Sequence, residues 1–392
     1  MIKFDFYLSE MSVSDQHGGG LTLQRIAGDD LKQIKCFAHT NRFAYDLPIT
    51  AHLAKNQLDL TSKWESDRVR AIIGRSLAFK ISRRAPVIKL QAIRAAKILA
   101  SKFENDAVIN GLVCPQGLSS IYALECLKAH KKVRYISWVM DDHLVKYESG
   151  QWTYPTGVAQ LFKKHLQEAE HVFVISTAMH DFYKKTFGIE STVLFGPADV
   201  YKVVNPKPLT GNIKIGYFGA VAAWQLDVLQ NVAQAINGTG LLLDIYSNIQ
   251  SLPDGLRNEN INLKANLPPA MVLQTMQQYD ALLLPISFLE QMRNMSTFNI
   301  ATKMSEYLAS GVPVVAVGPA YAAMINYLKV NKAAIVVESV GAKPFNEAIA
   351  QLQAPDHINE ILENARRLAM NETSSAAMKR RWHNVLNNDD FR

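Results

Sequence analysis

The stretch on which the reading of this chain turns is Ser296-Thr297-Phe298-Asn299-Ile300-Ala301-Thr302-Lys303-Met304-Ser305-Glu306-Tyr307-Leu308-Ala309-Ser310-Gly311-Val312-Pro313-Val314-Val315-Ala316. Small and polar residues at 296 to 299 are suited to cap a helix whose apolar side is Met304, Tyr307 and Leu308. Gly311 ends that helix, and 313–317 reads as a buried strand. Lys303 and Glu306 stand three apart, on one side of the helix. A helix start offers amides and the positive end of a dipole, which suits a diphosphate. Lys303 adds a mobile cation near it, and Glu306 can accept two hydrogen bonds from vicinal hydroxyls such as a ribose diol. Taken alone, such a pair is more often an exposed Lys–Glu contact worth about 0.2–0.5 kcal/mol.

Outward from this helix–strand unit the pattern repeats. Short apolar runs, each followed by a helical stretch, fall at 2–8, 34–38, 107–112, 133–140, 172–176 and 192–195, then at 213–219, 241–246, 261–263, 281–285, 313–317 and 334–337. Alternation of this kind predicts an α/β fold with parallel sheets covered on both faces. The polar, proline-bearing stretch 205–212 separates the two series and reads as a linker. A length of 392 residues favours two domains over one. The expected division is 1–205, 206–370 and a final segment, 371–392, carrying a helix near 377–386. Open parallel sheets bind ligands outside the carboxyl ends of their strands, so two facing Rossmann-like domains are expected to form a central cleft.

Composition narrows the class. With 48% hydrophobic and 20% charged residues the chain is an ordinary globular protein, not a disordered, collagen-like or coiled-coil one. Cys36, Cys114 and Cys126 are too scattered for a disulfide framework or a four-ligand zinc site, and they suit a reducing cytosol. The N-terminus lacks the apolar core and cleavage site of a signal peptide, and no uninterrupted apolar run reaches about 18 residues. The expected location is therefore cytoplasmic. His17, His143 and His180 are not at metal-ligand spacing, and no bound metal is expected. Ser176 lacks the Gly-x-Ser-x-Gly elbow of a serine hydrolase.

The net charge of +7 is unevenly placed, with eleven Lys or Arg between 63 and 103 against Glu65 and Asp67 alone. Apolar residues such as Ile72, Leu77, Ile88 and Ile93 lie between the charges in a helical pattern. Such a segment is either a solvated helix face or a surface for anionic lipid headgroups or an anionic acceptor. Neither a zinc-finger nor an RNA-recognition signature accompanies it, and aromatics are not interleaved as a stacking platform, so nucleic acid is not an expected partner.

Three further segments can carry chemistry. His17-Gly18-Gly19-Gly20 follows the first strand and precedes a helix expected from about Leu21, so it is either a tight turn or a loop admitting phosphate or sugar. It does not complete a Gly-x-Gly-x-x-Gly fingerprint, since position 23 is Leu23, and a dehydrogenase gains little from it. Asp141 and Asp142 end an apolar strand, where an acid can orient or deprotonate a hydroxyl or simply cap a turn; alternation along a strand means that only one of them need face a site. Gly216-Tyr217-Phe218-Gly219-Ala220 opens the second half, followed by Trp224 and Asp227; Trp224 is placed to stack on a ligand or to pack over a helix.

The run Lys303-x-x-Glu306-Tyr307-x-Ala309-x-Gly311-x-Pro313-Val314-Val315 resembles the nucleotide-binding segment of family 4 type glycosyltransferases of the GT-B fold. Leu267-Pro268-Pro269 with 279–285, the segment 172–188, and the glycine run at 18–20 are similar to further landmarks of that family, in the same order. The resemblance implies two Rossmann-like domains and transfer of a hexose from a UDP- or GDP-sugar to a glycan or lipid-linked hydroxyl. It also implies retained configuration, no cofactor beyond the donor, and a place in cell-surface polysaccharide or glycoconjugate synthesis; the basic segment 63–103 adds the expectation of a place at the inner face of the cell membrane. Residues and resemblance together lead to the expectation that Asp141, Asp142 and Lys303 are catalytic and that Gly18, Gly19, Gly20, Gly219, Ser296, Thr297, Asn299, Thr302, Lys303 and Glu306 bind the donor; many relatives have a histidine near the paired acids, and His143 lies just beyond them. There are two departures. Ala220, Val221, Ala222 and Ala223 stand where the family often has a basic clamp, and Phe298 stands where it often has a donor-binding glutamate, some of whose hydrogen bonds Arg293, Ser296 and Asn299 could replace. A sugar-nucleotide epimerase and a non-catalytic nucleotide-sugar-binding subunit are the alternatives on the same architecture.

Overall fold

The structure is a computed structural model that describes residues 3–14, 17–40, 50–199 and 212–387. Its contacts divide the chain into two units, Met1–Leu194 together with Lys379–Arg392, and Phe195–Met378. The stretch expected to link them, 205–212, lies outside the described residues except for Asn212.

The first unit is built on a seven-stranded sheet in the order Gln57–Asp59, Cys36–His39, Phe6–Ser9, Val108–Cys114, Lys132–Val139, His171–Val174 and Thr192–Val193, all neighbours parallel. The chain starts inside the sheet, winds to one edge, then crosses to the other side. The order therefore reverses between Phe6–Ser9 and Val108–Cys114, and the carboxyl ends of those two strands form the switch point where such sheets bind ligands. Phe6–Ser9 and Cys36–His39 are buried along their whole length, as helices on both faces require. Gly111 is needed beside Phe6, because a Cβ there would lie 2.4 Å from the Phe6 ring.

The second unit repeats the plan with six strands, Ile261–Ala265, Leu242–Ser247, Lys214–Phe218, Ala281–Pro285, Val314–Val317 and Ile335–Val337, again all parallel. Its switch point lies between Lys214–Phe218 and Ala281–Pro285. Ile215, Val228, Leu229, Leu283 and Val315 belong to one apolar core that joins sheet and helices.

Every strand expected from the apolar runs is present, with altered ends. The short strand Gln57–Asp59 and the hairpin Lys146–Glu148 with Gln151–Thr153 were not expected, being three-residue, largely polar segments. The hairpin turns on Ser149 and Gly150, both at positive φ.

Two local expectations change. The glycines at 18–20 are not a loop but the first turn of the helix Gly18–Leu31, capped by His17, whose Nδ1 accepts from the Gly20 amide at 3.1 Å. Gly20 admits no side chain, since its Cβ would lie 1.8 Å from the Ser14 carbonyl oxygen. Residues 296–299 do not cap the next helix either. Residues 296–298 complete a short helix of their own, Arg293–Phe298, and the second begins at Lys303 with Thr302 at its cap.

The last helix, Ser375–Leu386, starts in the second unit and ends in the first. In the first unit Trp382 is fully buried, stacks on Phe173 at 5.0 Å, meets Trp138 at 5.5 Å, and donates from Nε1 to Asp30 Oδ2 at 2.8 Å.

Candidate functional site

In the second unit the polar residues gather at the carboxyl end of Lys214–Phe218. Gly219 follows that strand with φ at +144°, a conformation that side-chain-bearing residues rarely adopt. A Cβ at Gly219 would stand 2.7 Å from Lys303 Nζ, so glycine is what allows the lysine to reach the strand end. Lys303 opens the helix Lys303–Ala309, donates from Nζ to Tyr217 Oη at 2.9 Å, and lies 4.2 Å from the centre of that ring. Tyr217 Oη in turn lies within hydrogen-bond distance of the Ala220 carbonyl and of Gln225 Oε1. The same helix is fastened to the strand by Tyr307, whose hydroxyl accepts from the Phe218 amide at 2.8 Å.

Lys303 keeps some exposure as a residue, but its ammonium is crowded by Tyr217 and the Gly219 backbone. Desolvation there lowers its pKa to about 7, only partly opposed by the charge of Glu306. A half-charged amine that lacks the solvation it would have in water is poised to take an anion. Glu306 lies on the same helix within electrostatic reach of Lys303, which itself lies against Gly219. Tyr217 was not expected to contact Lys303, and Tyr307 was expected only on the apolar side of the helix, where its hydroxyl in fact serves the strand.

The loop Gly219–Ala222 leads into the fourteen-residue helix Ala223–Ile236, whose start carries no side-chain cap. Its amide end and dipole face the same loop as Lys303. Trp224, in its first turn, is 40% exposed and so is not packed away over a helix. Asp227 accepts from the Phe288 amide through Oδ2 at 2.9 Å, while its Oδ1 is buried with no partner among the described residues.

Residues 296–302 are less uniform than expected. Ser296 Oγ is buried and donates to the Ser287 carbonyl at 2.8 Å, so it serves the loop after Ala281–Pro285. Phe298 is buried, and Arg293 pairs with Glu290 and covers the Tyr321 ring at 4.1 Å. Asn299 reaches Met295 Sδ at 3.4 Å, a weak contact. Thr297 Oγ1 is buried with no partner among the described residues, and Thr302 is half-buried at the helix cap. Ser247 Oγ, Ser305 Oγ and Thr373 Oγ1 are likewise buried with no partner among the described residues, so this state does not by itself mark a ligand position.

The first unit gathers its polar residues at its own switch point. His17 sits in the electrostatic field of Asp141, and burial lowers its pKa. Gly19 lies beside Met140, with 3.3 Å between a Cβ built there and Met140 Sδ. Gln116 Nε2 approaches Asp141 Oδ2 at 3.4 Å. The glycine turn and Asp141 are thus neighbours. Asp142 differs: it is buried, its Oδ1 accepts from the Leu144 and Val145 amides, and its Oδ2 accepts from the Tyr154 and Tyr183 hydroxyls at 3.0 and 2.9 Å. Burial raises its pKa, opposed by these four donors. With both oxygens engaged, Asp142 anchors the loop behind Asp141. Glu10 has a comparable place, accepting from Gln116 N, Ser120 N and Ser120 Oγ. No cluster of three metal-ligating side chains occurs among the described residues.

Two Rossmann-like units in one chain make this an α/β protein of the GT-B fold. No family model and no curated sequence matches it. Solved structures do. The chain superposes on HepE from Anabaena in complex with UDP with a TM-score of 0.64 at 13% identity, covering 97% of this chain and 99% of that one. Sucrose-phosphate synthase from Thermosynechococcus elongatus gives 0.67 at 13% identity, covering 97% and 98%. TarM gives 0.55 at 14% identity, where the match takes in 76% of this chain and 58% of TarM. These neighbours are GT-B glycosyltransferases.

Proposed function

We propose that the protein is a glycosyltransferase that moves a hexose from a UDP- or GDP-sugar to a hydroxyl of a glycan or lipid-linked acceptor. The observation that carries this reading is the Lys303 amine, held against Gly219 and Tyr217 at a Rossmann switch point with a pKa of about 7. HepE, its neighbour in fold, has been crystallised with UDP and with UDP-glucose. In the proposed reaction the second unit holds the donor. Lys303 and the amides opening Ala223–Ile236 take up charge on the departing diphosphate, with no cofactor beyond the donor. Glu306 accepts from the ribose hydroxyls, and Trp224 offers a face for base or sugar. The first unit presents the acceptor, with Asp141 orienting its hydroxyl or taking its proton while the sugar carbon exchanges phosphate oxygen for acceptor oxygen. Retention of configuration belongs to this proposal.

The alanines at 220, 222 and 223 and the buried Phe298 favour one competing reading, a subunit that binds nucleotide sugar without turnover. Calorimetry with UDP, GDP and their sugars, followed by product analysis on an acceptor panel, separates the two. Transfer abolished in Lys303→Ala and Glu306→Ala while circular dichroism is unchanged supports the transferase. Binding with no transfer to any acceptor supports the subunit.

A further inference from the structure

The basic segment 63–103 folds into three consecutive helices, Asp67–Ile73, Arg75–Ser82 and Ala85–Ala100, of which the first packs on the second and the second on the third. Each of them leaves a large apolar side chain exposed to solvent. Asp67–Ile73 has no buried residue at all, although it contains Val69, Ile72 and Ile73. Ala85–Ala100 buries Ile88, Ala92, Ala95, Ala96 and Leu99 against the sheet, so its inner stripe is complete, and yet Leu90 and Ile93 stand outside with Lys89, Arg94 and Lys97. Ile72 is 75% exposed and Leu90 70%, and Trp64, Leu77 and Ile93 of the same segment are exposed as well. Five of the twelve large exposed apolar side chains among the described residues fall in this one segment.

The acids do not balance the charge. Of Glu65 and Asp67, Glu65 is buried and accepts from Ser82 Oγ, which leaves Asp67 as the segment's one surface carboxylate. A soluble face gains nothing from exposed isoleucine and leucine set among cations, whereas an interfacial helix needs that combination: apolar side chains for the acyl boundary, Lys and Arg for anionic headgroups. The segment also has a defined position in the unit. Gln91 Nε2 donates to the carbonyls of Thr40 and Leu60, which follow the carboxyl ends of two strands, and Arg83 lies in the field of Glu10, which follows a third. The exposed helices therefore border the edge of the sheet on which His17 and Asp141 lie.

We propose that this face, from Trp64 through Ile93, docks on an anionic phospholipid bilayer, with Ile72, Leu77, Leu90 and Ile93 entering the headgroup boundary. The docking needs no nucleotide, so it stands or falls apart from the donor reading. No helix among the described residues is long and apolar enough to cross a membrane, so this contact lies in the plane of the interface.

The test is co-sedimentation of the purified full chain with vesicles of phosphatidylcholine alone and with roughly 30% phosphatidylglycerol. The expected result is binding to the anionic vesicles only, released by about 0.5 M salt. Ile72→Ser with Leu90→Ser should weaken binding by at least about tenfold at unchanged charge, and Arg75→Glu with Lys80→Glu should abolish it. Met271→Ser with Val330→Ser, exposed apolar residues of the other unit, should leave it unchanged. All sites are exposed, and circular dichroism of each variant confirms the fold. Chain that remains in the supernatant with anionic vesicles overturns the proposal. So does binding indifferent to Ile72 and Leu90, or capture of an oligonucleotide without capture of vesicles.

Discussion

At the scale of single residues, the properties of Lys303 follow from its lack of solvation. Its folded pKa of about 7 lies below the 10.5 of an exposed lysine. Between those values the unfolded chain binds more protons than the native one, so stability rises with pH across that window. Lys303→Met should flatten that part of a melting-temperature-against-pH profile. A bound diphosphate restores the charge, so nucleotide binding at pH 8 should take up a proton, and affinity should fall as pH climbs above about 7; calorimetry in buffers of different ionisation enthalpy reads both. Gly219→Ala meets the lysine end at 2.7 Å and the strain of φ at +144° together. It should weaken nucleotide binding by about tenfold or more. The two aspartates should separate by readout. Asp141→Asn is expected to lower turnover at an unchanged melting temperature, whereas Asp142→Ala strands two tyrosine hydroxyls and two amides and should cost about 2–4 kcal/mol of stability. Nothing in the pair Asp141-Asp142 distinguishes them in the sequence, because the donors to Asp142 come from Tyr154 and Tyr183, distant in the chain.

At the scale of elements, what was legible was what burial dictates. Apolar runs such as 281–285 and 313–317 are strands because a sheet covered on both faces leaves no polar positions, and that pattern survives without any knowledge of neighbours. The end of Lys303–Ala309 was legible, since Gly311 follows its cap at a φ of +76°, but the starts of helices were not. Ser296, Thr297 and Asn299 have the side chains of a cap, but Ser296 is drawn to the Ser287 carbonyl, and the turn it closes is the last of one helix rather than the first of the next. Likewise the glycines at 18–20 suit an open loop until Ser14 is seen pressing on Gly20. Gly20→Ala should accordingly cost about 3 kcal/mol or more, visible in chemical denaturation, because the obstructing atom belongs to the backbone. The attachment of Lys303–Ala309 to its strand is open to test as well. Tyr307→Phe leaves the Phe218 amide without its acceptor and should lower stability by about 1–3 kcal/mol. Since that helix carries Lys303, donor affinity should fall with it.

At the scale of the whole molecule, the first unit is discontinuous in sequence, a body of 1–194 completed by residues from 379 onward. Trp382→Ala should destabilise that unit by about 3–5 kcal/mol, because Phe173, Trp138 and Asp30 all lose the group they pack on or bond to. Separate melting of the two units by calorimetry would show which transition moves. Vectorial synthesis adds a further demand. While the ribosome is still making the middle of the chain, the nascent first lobe has every strand of its sheet but not the indole that plugs it. Trp138 and Phe173, which meet each other at 6.0 Å, lack the third ring of their cluster until residue 382 has been made. The second lobe, contiguous in the message, is free to mature before the first is sealed. A transcript stopped before codon 379 should yield an aggregating product, and supplying the missing peptide in trans should recover part of it.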